Sequence, residues 1–370
     1  MMQDALSPWF NPQLINDMKI LCIGEEWRGS NASGLFNAFS RKGFSIEIVN
    51  DLKFISLASV SVGAKIGNRL VRYFQVKDFN LQISRIANRL NPDLVLIYKG
   101  SFVYPETILS IKKKGIPVIN FFPDVSFTAH GKYIPFCIPL YDHIFTAKSF
   151  GAADLERNFN YNSQKVSFVP HGFDPLVHKR VNPSTDKSIA CEASFIGNYS
   201  KDKFSKLSKL KELMPNLDLK IWGGIWISYL DEPLDNAIQG IPVSGDSYAL
   251  AINSSKVNIA LLSGIVKGAS SGDQITSRTF DIPSAGGFMI HQRTDEVKLY
   301  YVEDQEICCF DSMEELADKI KFYLGNEKER LEIAERGYQR SLKEHSLDAR
   351  CTQIISILNE KGLIATLTSA

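Results

Sequence analysis

Short apolar runs of strand character alternate with helical stretches along this chain, and the series is laid down twice. The first series reads KILCIG (19–24), FSIEIV (44–49), DLVLIY (93–98), PVINFF (117–122), HIFTA (143–147) and KVSFVP (165–170), with helical stretches at 31–42, 63–90, 105–114 and 149–159. Strands separated by helices predict a parallel sheet covered on both faces, with ligands at the carboxyl ends of the strands. Residues 171–188, HGFDPLVHKRVNPSTDKS, carry two prolines and no periodicity, and read as an interdomain linker. The series then restarts with EASFIG (192–197), LDLKIWGG (217–224), KVNIALL (256–262), FMI (288–290) and EICCF (306–310), and with helices at 203–213, 246–254, 312–324 and 327–342. The expectation is two doubly wound α/β domains, 1–175 and 176–346, whose sheets face across a cleft. A last helical segment, 347–370, is placed to pack back on the first domain.

A chain of 370 residues exceeds one ordinary core and suits two domains. The net charge is only +1, but residues 1–180 hold 21 Lys/Arg against 14 Asp/Glu, and residues 181–370 hold 21 against 27. A basic first half suits an anionic lipid, an anionic acceptor or nucleic acid, or is a plain solvated surface. The six cysteines form no C-x-x-C pair and mostly sit in apolar runs such as ILCIG and EICCF, as small buried hydrophobes do. No apolar run approaches a membrane span and no secretory core is visible, which predicts a cytoplasmic protein.

The densest chemistry lies in DQITSRTFDIPSAGGFMIH (273–291). Asp273 and Asp281 are eight positions apart, about 800° of helix, so in a continuous helix both acids would point the same way. Arg278 lies between them, and Gly286-Gly287 stops the segment before the FMI strand. A helix start, a guanidinium and paired carboxylates suit a phosphorylated, polyhydroxylated ligand. An amphipathic helix with scattered charges is the competing reading.

Other loops follow strand ends. GEEWRGSNASG (24–34) lacks the G-x-G-x-x-G spacing and is no P-loop, yet its Gly29, Ser30 and Asn31 open a helix and can admit a ligand. FIGNYSKDKF (195–204) ends a strand at Gly197, and Lys201 and Lys203 follow at a helix start, where they can neutralise a diphosphate or remain solvated. IWGGIW (221–226) sets Gly223 between Trp222 and Trp226, either of which can stack on a base or serve the core. FFPDVSFTAHGK (121–132) brings Asp124 and His130 to a strand end, where His130 is a base, a hydroxyl binder or a structural residue. Neither a D-x-D triad nor a zinc-spaced Cys/His cluster occurs, so no metal is expected. Residues 60–77 place Lys65, Arg69 and Arg72 on one helical side, as a surface helix or one lying on an anionic membrane would.

These segments resemble the GT-B glycosyltransferases, in particular the CgeB-like group named after a spore-maturation protein. The likeness rests on Phe195-Ile196-Gly197, on Arg278-Thr279-Phe280-Asp281 followed by Ala285-Gly286-Gly287, and on EICCFDSMEELADKI, ERLEIAERG (329–337) and EHS (344–346). It covers about 190–350 closely and is architectural over 1–165. The resemblance implies two Rossmann-like domains, acceptor first and donor second. It also implies that Asp281 holds the donor ribose and Asp273 touches the transferred sugar, with Arg278 or Lys201 and Lys203 on the diphosphate. Both acids are Asp where the related enzymes have Glu, and Ala285 stands where the group has Cys.

The function expected is transfer of a sugar from a nucleotide-sugar donor to a glycan, lipid-linked or protein acceptor, without a metal and with retention. Asp124 or His130 is the base should the configuration invert. Donor contacts are expected at Gly197, Lys201, Lys203, Gly223, Trp226, Arg278 and Asp281, with peripheral contact to an anionic membrane and no nucleic acid. A nucleotide-sugar epimerase or a non-catalytic sugar-nucleotide-binding subunit are the alternatives.

Overall fold

The computed structural model describes residues 18–55, 65–229 and 234–364. Its first sheet contains β1 (Lys19–Ile23), β2 (Ser45–Val49), β3 (Leu94–Tyr98), β4 (Val118–Phe122), β5 (His143–Thr146) and β6 (Val166–Phe168), in the order β2-β1-β3-β4-β5-β6. Every neighbouring pair is parallel. Strands β3 and β4 are almost wholly buried, as a sheet covered on both faces requires. The polar exception, Asn120, spends its amide on the carbonyl of Ile97 at 2.9 Å. Four helices of this half are α1 (Asn31–Arg41), α2 (Lys65–Leu90), α3 (Pro105–Lys112) and α4 (Gly151–Phe159). Ser30 caps α1, Pro105 opens α3, and Asn160 ends α4 in the left-handed region at φ 50°.

The second sheet contains β7 (Cys191–Ile196), β8 (Leu219–Trp222), β9 (Ser255–Ala260), β10 (Met289–Gln292) and β11 (Cys308–Phe310), ordered β11-β10-β9-β7-β8 and again parallel. Helices α5 (Lys201–Leu213), α6 (Asp246–Asn253), α7 (Ser277–Ser284), α8 (Met313–Gly325), α9 (Glu327–Glu344) and α10 (Leu347–Glu360) follow in order. Segment 171–188 forms no helix or strand beyond an isolated bridge from Phe173 to Ser346.

The chain divides into two compact units. The first takes residues 1–170, 266–270 and 350–370, and the second takes 171–265 and 271–349. The boundary therefore falls inside α10, between Ala349 and Arg350. Each unit has its own apolar core. One is built on Leu21, Val95, Val118 and Phe79, the other on Phe195, Ile221, Ile259 and Ile290. All six cysteines are free and buried. Among the described residues no helix is long and apolar enough to cross a membrane.

Candidate functional site

In the second sheet the strand order reverses between β7 and β9, and the carboxyl ends flanking such a reversal are where a doubly wound sheet takes its ligand. Gly197 follows β7 there. Its N–H donates to the Trp222 carbonyl at 2.8 Å, and its own carbonyl accepts from the Trp226 indole at 2.7 Å. A Cβ on Gly223 would stand 2.0 Å from the Gly197 oxygen, so only glycine lets the two strand ends approach this closely. Trp226 itself is wholly buried against Phe195 and Tyr199. Its ring has no open face for a base, and the role it fills is to hold Gly197 in place.

Two cations converge on this strand end. Ser200 caps α5 through the backbone N–H of Lys203, and the Lys203 side chain then runs inward. Its ammonium lies 3.1 Å from Ser263 Oγ and 3.5 Å from the Asn198 carbonyl. Burial, and then the nearby Arg278 charge, lower its pKa to about 8, while Asp273 opposes the shift. Arg278 donates to the Leu261 carbonyl at 2.8 Å, lies over the Phe195 ring, and would meet any Cβ on Gly197 at 2.9 Å. Its Nε is buried without a hydrogen-bond partner. Lys201 is exposed at the first position of α5.

The two acids do not share a helix face. Helix α7 begins at Ser277, because the Thr276 N–H bonds to Thr279 Oγ1 at 3.0 Å and starts the helix there. Asp273 therefore lies in the preceding loop, which is pinned at its base. The Asp273 N–H donates to the Ser263 carbonyl at 2.8 Å, and Asp273 Oδ2 accepts from the Ser263 N–H at 3.3 Å. Asp273 also lines a polar cavity of about 460 Å³ together with Gln274, Arg293 and Lys298. Asp281, on α7, is buried instead against His178, whose Nδ1 is 3.3 Å from Asp281 Oδ1. That Nδ1 already accepts from the Asp174 N–H at 3.1 Å. Asp281 Oδ1 is buried without a hydrogen-bond partner. Desolvation pushes Asp281 well above the ordinary carboxylate range and lowers His178 to about 4, so burial favours the uncharged form of each. The Tyr248 hydroxyl, whose pKa burial raises, is likewise buried without a hydrogen-bond partner. Nothing in DSYALAIN marks that tyrosine in the sequence.

In the first unit Asp124 and His130 do come together. Asp124 Oδ2 is 3.9 Å from His130 Nε2 and 2.7 Å from the ammonium of Lys99, a residue sequence reasoning missed. Burial lowers the His130 pKa, Asp124 opposes this, and Lys99 adds to it. Gly29 takes φ 98° before α1, and Ser30 is buried with its hydroxyl committed to the Ser33 N–H at 3.0 Å, while Asn31 begins the helix. The basic segment 60–77 is described in part. Residues 60–64 lie outside the described residues, and Arg72 is exposed with its guanidinium over Phe102. Among the described residues no group of three or more His, Cys, Asp or Glu is placed to hold a metal ion.

Residues 205–356 match a family described as glycosyl transferase-like. Among solved structures, the chain is similar to a sucrose-phosphate synthase from Thermosynechococcus elongatus, with TM-score 0.64 and 10% identity over 93% of this chain and 98% of that one. It is also similar to a glycosyltransferase from Rickettsia africae, with TM-score 0.63 and 13% identity over 94% and 99% of the two chains. The fold is GT-B. A third similar structure, HepE of Anabaena in complex with UDP-glucose, has TM-score 0.61 and 10% identity over 93% of this chain and 100% of that one. A search of curated proteins finds no match.

Proposed function

We propose that this chain is a glycosyltransferase of the CgeB-like group that takes a sugar from a nucleoside-diphosphate sugar. One observation carries the reading: Lys203 and Arg278 converge on the Gly197–Gly223 strand end at the reversal point of the second sheet. A buried ammonium and a guanidinium beside a tight glycine turn suit a diphosphate. The α5 N-terminus and Lys201 add to the positive field. The glycosyl transferase-like match over 205–356 and the UDP-glucose complex of HepE support the same reading.

In this scheme Asp273 meets the transferred sugar from the wall of its polar cavity. Asp281 meets the ribose from beneath α7. The cations and helix end stabilise the departing diphosphate without a metal. The diphosphate oxygen takes the acceptor proton, and the configuration is retained. Asp124 and His130 orient the hydroxyl of a glycan, lipid-linked or protein acceptor on the first unit, and act as base if the configuration inverts. The protein works in the cytoplasm, with peripheral contact to an anionic membrane.

Calorimetric titration with UDP, with and without a chelator, tests the core of this. Binding that survives chelation and weakens at least tenfold in Lys203→Met and Arg278→Met supports it. Failure of every nucleoside diphosphate to bind overturns it.

A further inference from the structure

The first sheet also reverses its order, between β1 and β3, and the chain takes a strained course where β3 ends. Lys99 has φ 61°, and the Gly100 N–H bonds back to the Tyr98 carbonyl at 2.7 Å. An i to i+2 bond around a positive φ is a γ-turn of the rare, strained kind. Its surroundings enforce it. The Lys99 N–H donates to the Phe121 carbonyl at 2.8 Å, Asn120 reaches the Lys99 carbonyl at 3.4 Å, and Tyr98 stacks on Phe121. Glycine would adopt this turn without a steric penalty, yet the chain places a lysine here and a glycine next.

The side chain shows what that placement achieves. The ammonium reaches Asp124 Oδ2 at 2.7 Å, with both side chains about one-third exposed. A pair this open to solvent contributes little to stability, so stability does not account for the strained turn. Direction does. Lys99 holds Oδ2 of Asp124, with His130 Nε2 3.9 Å from the same oxygen, so both lie on one side of the carboxylate and Oδ1 is the oxygen left for an incoming hydroxyl. Other charges nearby are Asp51 and Glu25 after β2 and β1, with Asp51 raised to about 6 by burial and then by Glu25, and Lys132 over Tyr133 in the His130 loop.

We propose that Lys99 is a positioning residue of the acceptor side, whose γ-turn aims the ammonium so that Asp124 is fixed beside His130 to receive one acceptor hydroxyl. This rests on the glycosyl-transfer reading above. Strained backbone of this kind gathers at functional sites because only surrounding structure can hold it.

Two measurements on the full chain test it. The first is NMR titration of labelled histidine, with the His130 signal assigned by His130→Gln. Lys99→Met should move the His130 midpoint up by ~0.5–1 pH unit, and Asp124→Asn should move it down. The second is turnover of UDP-glucose with water as acceptor. Lys99→Met and Lys99→Gly should lower kcat ~10- to 100-fold with UDP affinity unchanged, and Lys99→Arg should recover most of it. Lys99→Gly accepts the same turn, so its loss of turnover isolates the ammonium from the backbone. An unmoved His130 midpoint in Lys99→Met, or a fully active Lys99→Gly, overturns the proposal. If the wild type turns over no nucleotide sugar, the glycosyl-transfer reading falls, and the titration alone judges whether Lys99 and Asp124 set the state of His130.

Discussion

The indole N–H of Trp226 donates to the carbonyl of Gly197 at 2.7 Å, so a wholly buried ring braces the strand end on which both cations converge. Trp226→Phe keeps an aromatic ring but loses that bond and leaves space. It should cost ~1–3 kcal/mol of stability in urea unfolding and weaken UDP several-fold. Gly223→Ala should be worse in both respects, because its methyl would press on the Gly197 oxygen. Wild-type nucleotide affinity in Trp226→Phe would remove the brace from the account.

The pH dependence of nucleotide binding should report Lys203. Its pKa in the free protein is about 8, and a bound diphosphate stabilises the ammonium and raises it. The complex then holds more protons than the free protein above that pH. Affinity should be flat from pH 6 to 7.5 and fall at higher pH by up to ~10-fold per pH unit. Calorimetry across pH 6–10 measures this, and Lys203→Met should flatten the profile.

Asp281 and Asp273 should fail differently when changed to Ala. Loss of Asp281 removes the buried partner of His178 and the proposed ribose contact, so both stability and free UDP affinity should drop, the affinity by roughly tenfold or more. Asp281→Asn should keep most of both, since burial favours the uncharged carboxyl. Loss of Asp273 should lower turnover of the nucleotide sugar with little change in UDP affinity. Normal UDP binding by Asp281→Ala would remove the ribose assignment.

Arg293 should govern acid stability of the second unit. It donates to Glu303 and Glu315 and also pairs with Asp311. Its hydrogen bond, the largest cause, holds Glu315 at about 2 against an ordinary 4.5. A depressed folded pKa gives stability that is fully present above the ordinary value and is lost as pH falls through the folded one. The stability gap between wild type and Arg293→Met should therefore be constant above pH 5 and close between 4.5 and 2, as urea midpoints at each pH will show.

Arg72 stands beside Val71, Tyr73 and Phe74, all three more than half exposed, and this stretch of α2 is the one proposed to meet an anionic bilayer. Sedimentation with anionic vesicles at low salt should carry the protein down, and Arg72→Gln with Phe74→Ser should reduce it. Wild type left in the supernatant ends the membrane proposal.

Much of this architecture is legible in the sequence because both sheets are buried on two faces. Runs such as DLVLIY and PVINFF declare themselves by apolar content alone, and every strand expected from such a run appears within about two residues of its place. The Gly197, Lys203 and Arg278 constellation was legible for a related reason: each follows a strand end or opens a helix. Asp273 was misplaced because spacing cannot say where a helix starts, and the Thr276–Thr279 exchange that starts it is a weak signal. Lys99 and Tyr248 were invisible because a positive φ and an unpartnered hydroxyl belong to tertiary context, not to residue type.

The six buried thiols make the protein its own unfolding reporter. Cys22, Cys137 and Cys351 lie in the first unit, and Cys191, Cys308 and Cys309 lie in the second. None is accessible to an alkylating reagent until its surroundings open. Pulsed labelling followed by peptide mass measurement would thus time the opening of each unit separately, in the native sequence and without an added probe. A nucleotide that protects the second set of thiols and leaves the first unchanged would locate its binding energy without a single substitution.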